Sequence, residues 1–111
     1  MSGSIRVLIA DDHPMFRGGV ARSLNEGGQI DVVAECDSAD TAVAAVADHL
    51  PDIAILDISM PGGGITAARR IGADYPAVRV IMLTVSEQDD DVIRAIEAGA
   101  VGYVLKGIEA D

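Results

Sequence analysis

The sequence is poor in aromatic residues, in cysteine and in positive charge. It has no tryptophan, and its only aromatic side chains are Phe16, Tyr75 and Tyr103, so small aliphatic residues must fill any core. Cys36 is the single cysteine, which excludes a disulfide within the chain and fits a reducing cytoplasm. The formal net charge of −10 argues against nucleic-acid binding by this segment alone, because such binding needs a positive surface.

Two further absences concern location. No apolar run approaches the roughly 18 residues of a membrane-spanning helix, so we expect no membrane association. Residues 1–4 lack the charged and then apolar pattern of a secretion signal, which again indicates a cytoplasmic protein. Half of the 111 residues are apolar, so we expect one domain, spanning residues 1–111, with a real core.

Short apolar runs alternate with amphipathic stretches along the whole chain. Strands are predicted at Ile5–Ala10, Ile30–Glu35, Ile53–Leu56, Val78–Leu83 and Val101–Leu105. Helices are predicted to start near Pro14, Ser38, Ile65 and Ser86. This alternation implies an α/β fold, a doubly wound five-stranded parallel sheet with helices on both faces.

Three details follow from the same pattern. The strand at Ile30–Glu35 is more polar than the others, which places it nearer an edge of the sheet. The second helix should turn Ala42, Val43, Val46 and Leu50 inward. Because the chain stops six residues after the fifth strand, we expect the last helix to be missing or incomplete and the chain to be part of a longer protein.

Polar side chains follow the predicted strands at their carboxyl ends, which is where open α/β sheets bind ligands. Asp11 and Asp12 follow the first strand, and Asp57 follows the third. Thr84 follows the fourth strand, and Lys106, the only lysine, follows the fifth. Three carboxylates, one hydroxyl and one amine should therefore meet at one edge.

The chemistry of such a cluster is that of phosphoryl transfer. Neighbouring carboxylates raise one another's pKa values, and a divalent cation such as Mg²⁺ removes that conflict. One carboxylate can then act as a nucleophile toward phosphorus, while the metal and a lysine neutralise the charge of the phosphoryl group.

The same residues resemble the receiver domains of bacterial two-component response regulators. The motifs that carry the resemblance are Asp11-Asp12, Leu56-Asp57-Ile-Ser-Met-Pro61, Leu83-Thr84 and Gly102-Tyr-Val-Leu-Lys106. The opening Val7-Leu-Ile-Ala-Asp-Asp-His-Pro14 is most similar to the subfamily with a C-terminal helix-turn-helix DNA-binding domain (LuxR/NarL-like). The resemblance covers essentially the whole chain and implies a flavodoxin-like strand order of 2-1-3-4-5.

The resemblance also implies a ligand set. Asp57 would be the phosphoacceptor, and Asp12, Asp57 and the backbone carbonyl of Ser59 would bind Mg²⁺ (or Mn²⁺) directly. Asp11 would act through a bound water. Ser59 and Ser86 fall where this family tunes the lifetime of its phosphoryl group, so the domain would catalyse its own phosphorylation and dephosphorylation without being an enzyme otherwise.

By the same resemblance, Lys106 would pair with the phosphoryl group and Thr84 would hydrogen-bond it. Tyr103 would be the switch residue that turns inward as Thr84 moves, although it could also be ordinary packing. The implied partner is a sensor histidine kinase, with a possible homodimer, and DNA would be reached only through a C-terminal domain absent from this chain.

Several other interpretations are open at the level of sequence. An aspartyl-phosphate phosphatase would need its nucleophile on the first strand, and a nucleotide or flavin binder would need a glycine-rich loop there. A receiver that acts by phosphorylation-independent interaction would normally have lost an acidic residue or the lysine. His13 is expected at a helix start rather than as a ligand. The loop Met60–Gly64 is one residue shorter than the family's common form, which should alter how the third helix begins, and Gly107 stands where many receivers have proline.

Overall fold

The computed structural model describes residues 4–85 and 89–106, which form five strands and four helices. The strands are β1 (Ile5–Ala10), β2 (Ile30–Cys36), β3 (Ile53–Asp57), β4 (Arg79–Thr84) and β5 (Ala100–Leu105). The helices are α1 (Pro14–Glu26), α2 (Ala39–His49), α3 (Gly64–Asp74) and α4 (Asp89–Glu97). Strand boundaries differ from the predicted ones by at most one residue.

The five strands form one parallel sheet in the order β2-β1-β3-β4-β5. This confirms the doubly wound fold, the flavodoxin-like order and the edge position of β2. The chain moves outward from β1 to β2 and then returns past β1 to β3. The carboxyl ends of β1 and β3 therefore border the crevice where the direction reverses, which is the ligand site of such sheets.

The larger hydrophobic core lies between one face of the sheet and helices α2, α3 and α4. Leu8, Leu56 and Met82 come from the central strands and are fully buried. Val46 of α2 and Ile71 of α3 pack against them with no exposed area. Because these side chains are all aliphatic or thioether, the core forms without the aromatic residues that the sequence lacks.

Helix α1 covers the other face of the sheet with a smaller cluster. Ile9 and Leu83 of the sheet are buried against Ala21, and Phe16 and Val20 pack onto them. Phe16 and Val20, four residues apart on α1, thus face the sheet. Because helices cover both faces of the sheet, the polar groups are positioned at the edge formed by the carboxyl ends of the strands.

Helix starts and ends follow local chemistry, with one wrong prediction. Ser38 caps α2, because its hydroxyl accepts a hydrogen bond from the Thr41 amide at 3.2 Å. Leu50, predicted to face inward, is 59% exposed. It adopts a left-handed conformation (φ 46°, ψ 60°) as the C-cap of α2, so the helix ends before its side chain reaches the core.

Two predictions fall outside the described residues: the cap at Ser86 and the start of a last helix in residues 107–111. None of the helices in the described ranges combines the length and apolar character needed to cross a bilayer.

Candidate functional site

Four buried polar side chains define the site. Within residues 4–85 and 89–106, the polar or charged side chains classed as buried are Asp11, Asp57, Thr84 and Lys106. Each lies at or just beyond the carboxyl end of a strand: β1, β3, β4 and β5 respectively. Buried polar groups are costly unless they are paired, so their concentration at one edge of the sheet is the strongest sign of function in the fold.

Lys106 joins the two buried carboxylates. Its Nζ atom lies 2.7 Å from Oδ2 of Asp11 and 3.6 Å from Oδ1 of Asp57. The same ammonium stands 4.7 Å from the centre of the Phe16 ring, a cation–π contact. Its backbone amide donates to the Thr84 carbonyl at 2.7 Å, which fixes the end of β5 beside β4. Lys106 is therefore held both through its side-chain ammonium and through its backbone amide.

The two buried aspartates differ in their electrostatics. Burial raises the pKa of Asp57, the negative charge of Asp11 raises it further, and Lys106 only partly offsets them. Burial also acts to raise the pKa of Asp11, but hydrogen bonds from Lys106 and from the backbone and ring of His13 outweigh it, so that this pKa is lowered. Asp57 is thus the more basic of the two buried carboxylates.

The loop after β3 lies tightly around Asp57. The Ser59 hydroxyl lies 3.3 Å and 3.4 Å from the two carboxylate oxygens of Asp57, and the Ser59 amide lies 3.4 Å from Oδ1. The Ile58 amide donates to the Leu83 carbonyl at 3.0 Å, and the Ile58 carbonyl accepts from the Gly64 amide at 3.0 Å. These bonds close the short Met60–Gly64 segment against β3, and α3 begins directly at Gly64.

The donor set fits a divalent cation. Asp11, Asp12, His13 and Asp57 each offer one ligand atom, and these atoms all lie within 4.8 Å of one another. Carboxylate oxygens are the ligands that Mg²⁺ prefers. A cation would also relieve the repulsion that raises the pKa of Asp57. Asp12 is about one third exposed, so it faces the open side of the site, whereas Asp11 and Asp57 form its floor.

Thr84 links the site to the edge strand. Its side chain is buried and forms a hydrogen bond with the phenol of Tyr103. Burial raises the pKa of Tyr103, and the charge of Asp91 on α4 adds to that effect, while the Thr84 bond opposes it. Tyr103 is half-buried and packs against the larger core. Thr84 and Tyr103, the two residues assigned to the switch by the family resemblance, are therefore neighbours in this structure, and their role in switching stays a prediction.

Two residues near the carboxylates were not predicted from the sequence to belong to the site. His13 is the N-cap residue of α1, as predicted, but its ring Nδ1 also lies 3.0 Å from Oδ1 of Asp11 and 3.3 Å from Oδ1 of Asp12. Arg17 donates to the Asp11 carbonyl at 2.8 Å and to Glu35 at 3.3 Å. The adjacent residues Asp11, Asp12 and His13 could have indicated that the His13 ring lies near the carboxylates, whereas no sequence feature points to Arg17.

Comparisons with known proteins agree with this geometry. The response regulator receiver domain family matches residues 7–111. Response regulator GacA from Pseudomonas viridiflava is 38% identical over 104 residues, which are 93% of this chain and 49% of GacA. The chain thus spans about half the length of such curated relatives.

Solved structures of response regulators are also similar to this chain. The signal receiver domain of NarL from Mycobacterium tuberculosis superposes with a TM-score of 0.91 at 36% identity, covering 96% of this chain and 86% of that one. A two-component response regulator of the LuxR family from Aurantimonas sp. SI85-9A1 gives a TM-score of 0.90 at 36% identity, covering 96% and 76%. With a family match across nearly its whole length, the chain belongs to the response regulator receiver domains of two-component systems.

Proposed function

We propose that Asp57 accepts a phosphoryl group from the phosphohistidine of a sensor histidine kinase and that the domain changes conformation in response. The observation that carries this proposal is the position of Asp57, 1% exposed at the end of β3 with the ammonium of Lys106 3.6 Å from its Oδ1. An oxygen of Asp57 would attack phosphorus, and the P–N bond would break with its electron pair leaving on the kinase imidazole. The product is an aspartyl phosphate.

The cation site would be built from the family's ligand set. Asp12, Asp57 and the backbone carbonyl of Ser59 would hold Mg²⁺ or Mn²⁺, and Asp11 would contribute through a water. When bound, the cation neutralises negative charge on the phosphoryl oxygens. Lys106, now shared between Asp11 and Asp57, would supply the second positive charge. The Ser59 hydroxyl, close to both Asp57 oxygens, would influence how long the phosphoryl group persists.

The switch would act through Thr84 and Tyr103. Phosphorylation adds a group of about two negative charges at Asp57, and the Thr84 hydroxyl can reorient to donate to it. Because Thr84 contacts Tyr103, that movement would release or redirect the tyrosine ring beside α4. To invert a 1:99 equilibrium, the phosphoryl group must favour the active state by about 5.5 kcal/mol.

The output belongs to the longer protein that we infer for this chain. We propose that residues 1–111 are its receiver domain and that a C-terminal helix-turn-helix domain binds DNA and controls transcription. Phosphorylation would promote a homodimer or free the DNA-binding domain, with no role for a membrane. The net charge of −10 fits this division, since the receiver would not contact DNA itself.

Acetyl phosphate provides a direct test of acceptance. With Mg²⁺ present, intact mass spectrometry should show one added phosphoryl group on the wild type and none on Asp57→Asn. Uptake by Asp57→Asn would show that another residue is the acceptor, and no uptake by either protein would remove the proposal.

Lys106→Ala should separate cation binding from switching. The carboxylates remain, so Mg²⁺ should still bind and offset the unpaired buried charge. The phosphoryl group, however, would lack its positive partner, and the conformational change should fail. Backbone NMR spectra of both proteins, recorded with and without acetyl phosphate, show whether the conformational change occurs. In the wild type, selective ¹³C-lysine labelling also follows the environment of Lys106 alone, because it is the only lysine. A full set of phosphorylation shifts in Lys106→Ala would contradict its assigned role.

Tyr103 should report the switch. With labelled tyrosine rings the protein gives two sets of signals, from Tyr75 and Tyr103. We expect phosphorylation to shift Tyr103 and leave Tyr75 nearly unchanged, since Tyr75 packs in the core beyond α3. In Thr84→Val, which lacks the hydroxyl that contacts the phenol, the Tyr103 shift should shrink severalfold. An equal shift in both proteins would show that Thr84 does not couple the site to Tyr103.

A further inference from the structure

His13 occupies a place in the acidic cluster that its role in the helix does not explain. It is the N-cap residue of α1, but its side chain forms no capping hydrogen bond. The backbone does the anchoring instead. The His13 amide donates to Oδ1 of Asp11 at 2.8 Å, and the His13 carbonyl accepts from the Arg17 amide at 2.9 Å. The ring is thus not used to cap the helix.

The ring nitrogen points at the carboxylates. Nδ1 lies 3.0 Å from Oδ1 of Asp11 and 3.3 Å from Oδ1 of Asp12. It also lies 3.4 Å from Nζ of Lys106, whose ammonium is paired with Oδ2 of Asp11 at 2.7 Å. With Asp57 included, one atom from each of the four residues falls within a 4.8 Å span. Two opposite ligands of an octahedral divalent cation are separated by about 4.2 Å, so small side-chain movements suffice.

We propose that His13 determines the cation preference of this site, supplying a nitrogen ligand that makes it favour Mn²⁺ over Mg²⁺. The inference rests on the proposed cation site and adds a ligand to it. Imidazole nitrogen is a softer donor than carboxylate oxygen, and it strengthens the binding of transition metals more than that of Mg²⁺. A carboxylate-only cluster would discriminate less between the two ions.

The side chain has the freedom that the role requires. The His13 side chain is 63% exposed, so rotation of the ring toward the cluster meets little packing. The anchored backbone keeps the ring beside Asp11 throughout that rotation. A neutral imidazole can present the lone pair of Nδ1 to a cation while its other nitrogen keeps the proton and faces water.

The test uses the chain's two histidines as a matched pair. His13→Ala removes the proposed nitrogen ligand, and His49→Ala removes the other histidine, which lies in the last turn of α2. Calorimetric titration should show Mn²⁺ binding weakened about tenfold in His13→Ala, within the range for altered metal sites, and Mg²⁺ binding changed less than about twofold. His49→Ala should match the wild type for both ions.

A spectroscopic measurement makes the result independent of affinity. Electron spin-echo modulation of protein-bound Mn²⁺ should contain a ¹⁴N signal in the wild type and in His49→Ala, and should lose it in His13→Ala. Bound Mn²⁺ without a nitrogen signal in the wild type, or equal weakening for both ions in His13→Ala, would overturn the proposal for His13 alone. Mg²⁺ affinity that is unchanged in Asp57→Asn would instead remove the proposed cation site itself.

Discussion

Gly64→Ala should destabilise the domain by about 3 kcal/mol or more, as expected when a side chain is forced into filled space. A Cβ atom at position 64 would overlap the carbonyl oxygen of Asp57 and would lie 2.8 Å from the Asp57 carbonyl carbon and from Cα of Ile58. These are backbone atoms, which cannot rotate away as a side chain can. The amide and carbonyl of Ile58 are also both hydrogen-bonded, to Leu83 and to Gly64.

The glycine at 64 is therefore needed because there is no room for a side chain at the point where α3 approaches β3 beside Asp57. Gly62 and Gly63 matter for conformation, since they have φ values of 85° and 86°. These glycines form the turn before α3, and the start of α3 at Gly64 brings its first turn onto Asp57 and Ile58. Loss of Gly64 should thus displace Asp57 as well as weaken the fold.

Gly19→Ala is the matched control for Gly64→Ala. Gly19 lies in the interior of α1, where an added Cβ atom would meet nothing within 4 Å, so alanine there should stabilise the domain by about 0.5–1 kcal/mol. Urea unfolding followed by circular dichroism measures both variants. If Gly64→Ala unfolded within about 1 kcal/mol of the wild type, the close approach of α3 to β3 would be wrong.

Asp57→Asn should stabilise the domain when no divalent cation is present, by an amount on the order of 1 kcal/mol, or about 4 °C in the unfolding midpoint. The wild-type carboxylate is buried beside Asp11, and both effects raise its pKa. A raised pKa in the folded state means that ionisation of Asp57 opposes folding. Asparagine has nearly the same shape and carries no charge.

The raised pKa of Asp57 also determines how the stability difference between Asp57→Asn and the wild type changes with pH. At pH values well below 3.8, the ordinary pKa of an aspartate, Asp57 is protonated in both states and the difference between the two proteins should be smallest. As pH rises from there through the folded-state pKa, the wild type loses stability relative to Asp57→Asn, and the difference then levels off. Mg²⁺ should reverse the order, because it binds the folded wild type more tightly.

Thermal unfolding with EDTA or with millimolar Mg²⁺ measures this reversal. Asp48→Asn, an exposed position on α2, controls for the change in net charge and should respond to neither condition. An Asp57→Asn protein that is less stable than the wild type in EDTA at neutral pH would contradict the electrostatic account of the site.

The sequence allowed the fold and most of the site to be predicted because both depend on short-range patterns. Apolar strands between amphipathic helices indicate a doubly wound parallel sheet, the family resemblance supplies the strand order, and the carboxyl ends of parallel strands must share an edge. Asp11, Asp57, Thr84 and Lys106 each lie at or directly after the end of a strand, so finding the strands located these residues.

Other features depend on relations that no local pattern encodes. Which of Asp11 and Asp12 is buried follows from the pleat at the end of β1 and from the reach of Lys106 across two strands. Leu50 faces solvent because a single left-handed residue ends α2 early. The position of the His13 ring and the contact of Gly64 with the β3 backbone arise from packing between segments that are distant in sequence or differently oriented.

The most direct test of the account is to locate the phosphoryl group on the chain. Protein treated with acetyl phosphate and Mg²⁺ is reduced with borohydride, which converts an aspartyl phosphate to homoserine, and is then digested and sequenced by mass spectrometry. We predict homoserine at residue 57 in the wild type and nowhere in untreated protein. Homoserine at residue 11 or 12, or a phosphoryl group that survives reduction on His13 or His49, would contradict the assignment of Asp57 as the acceptor.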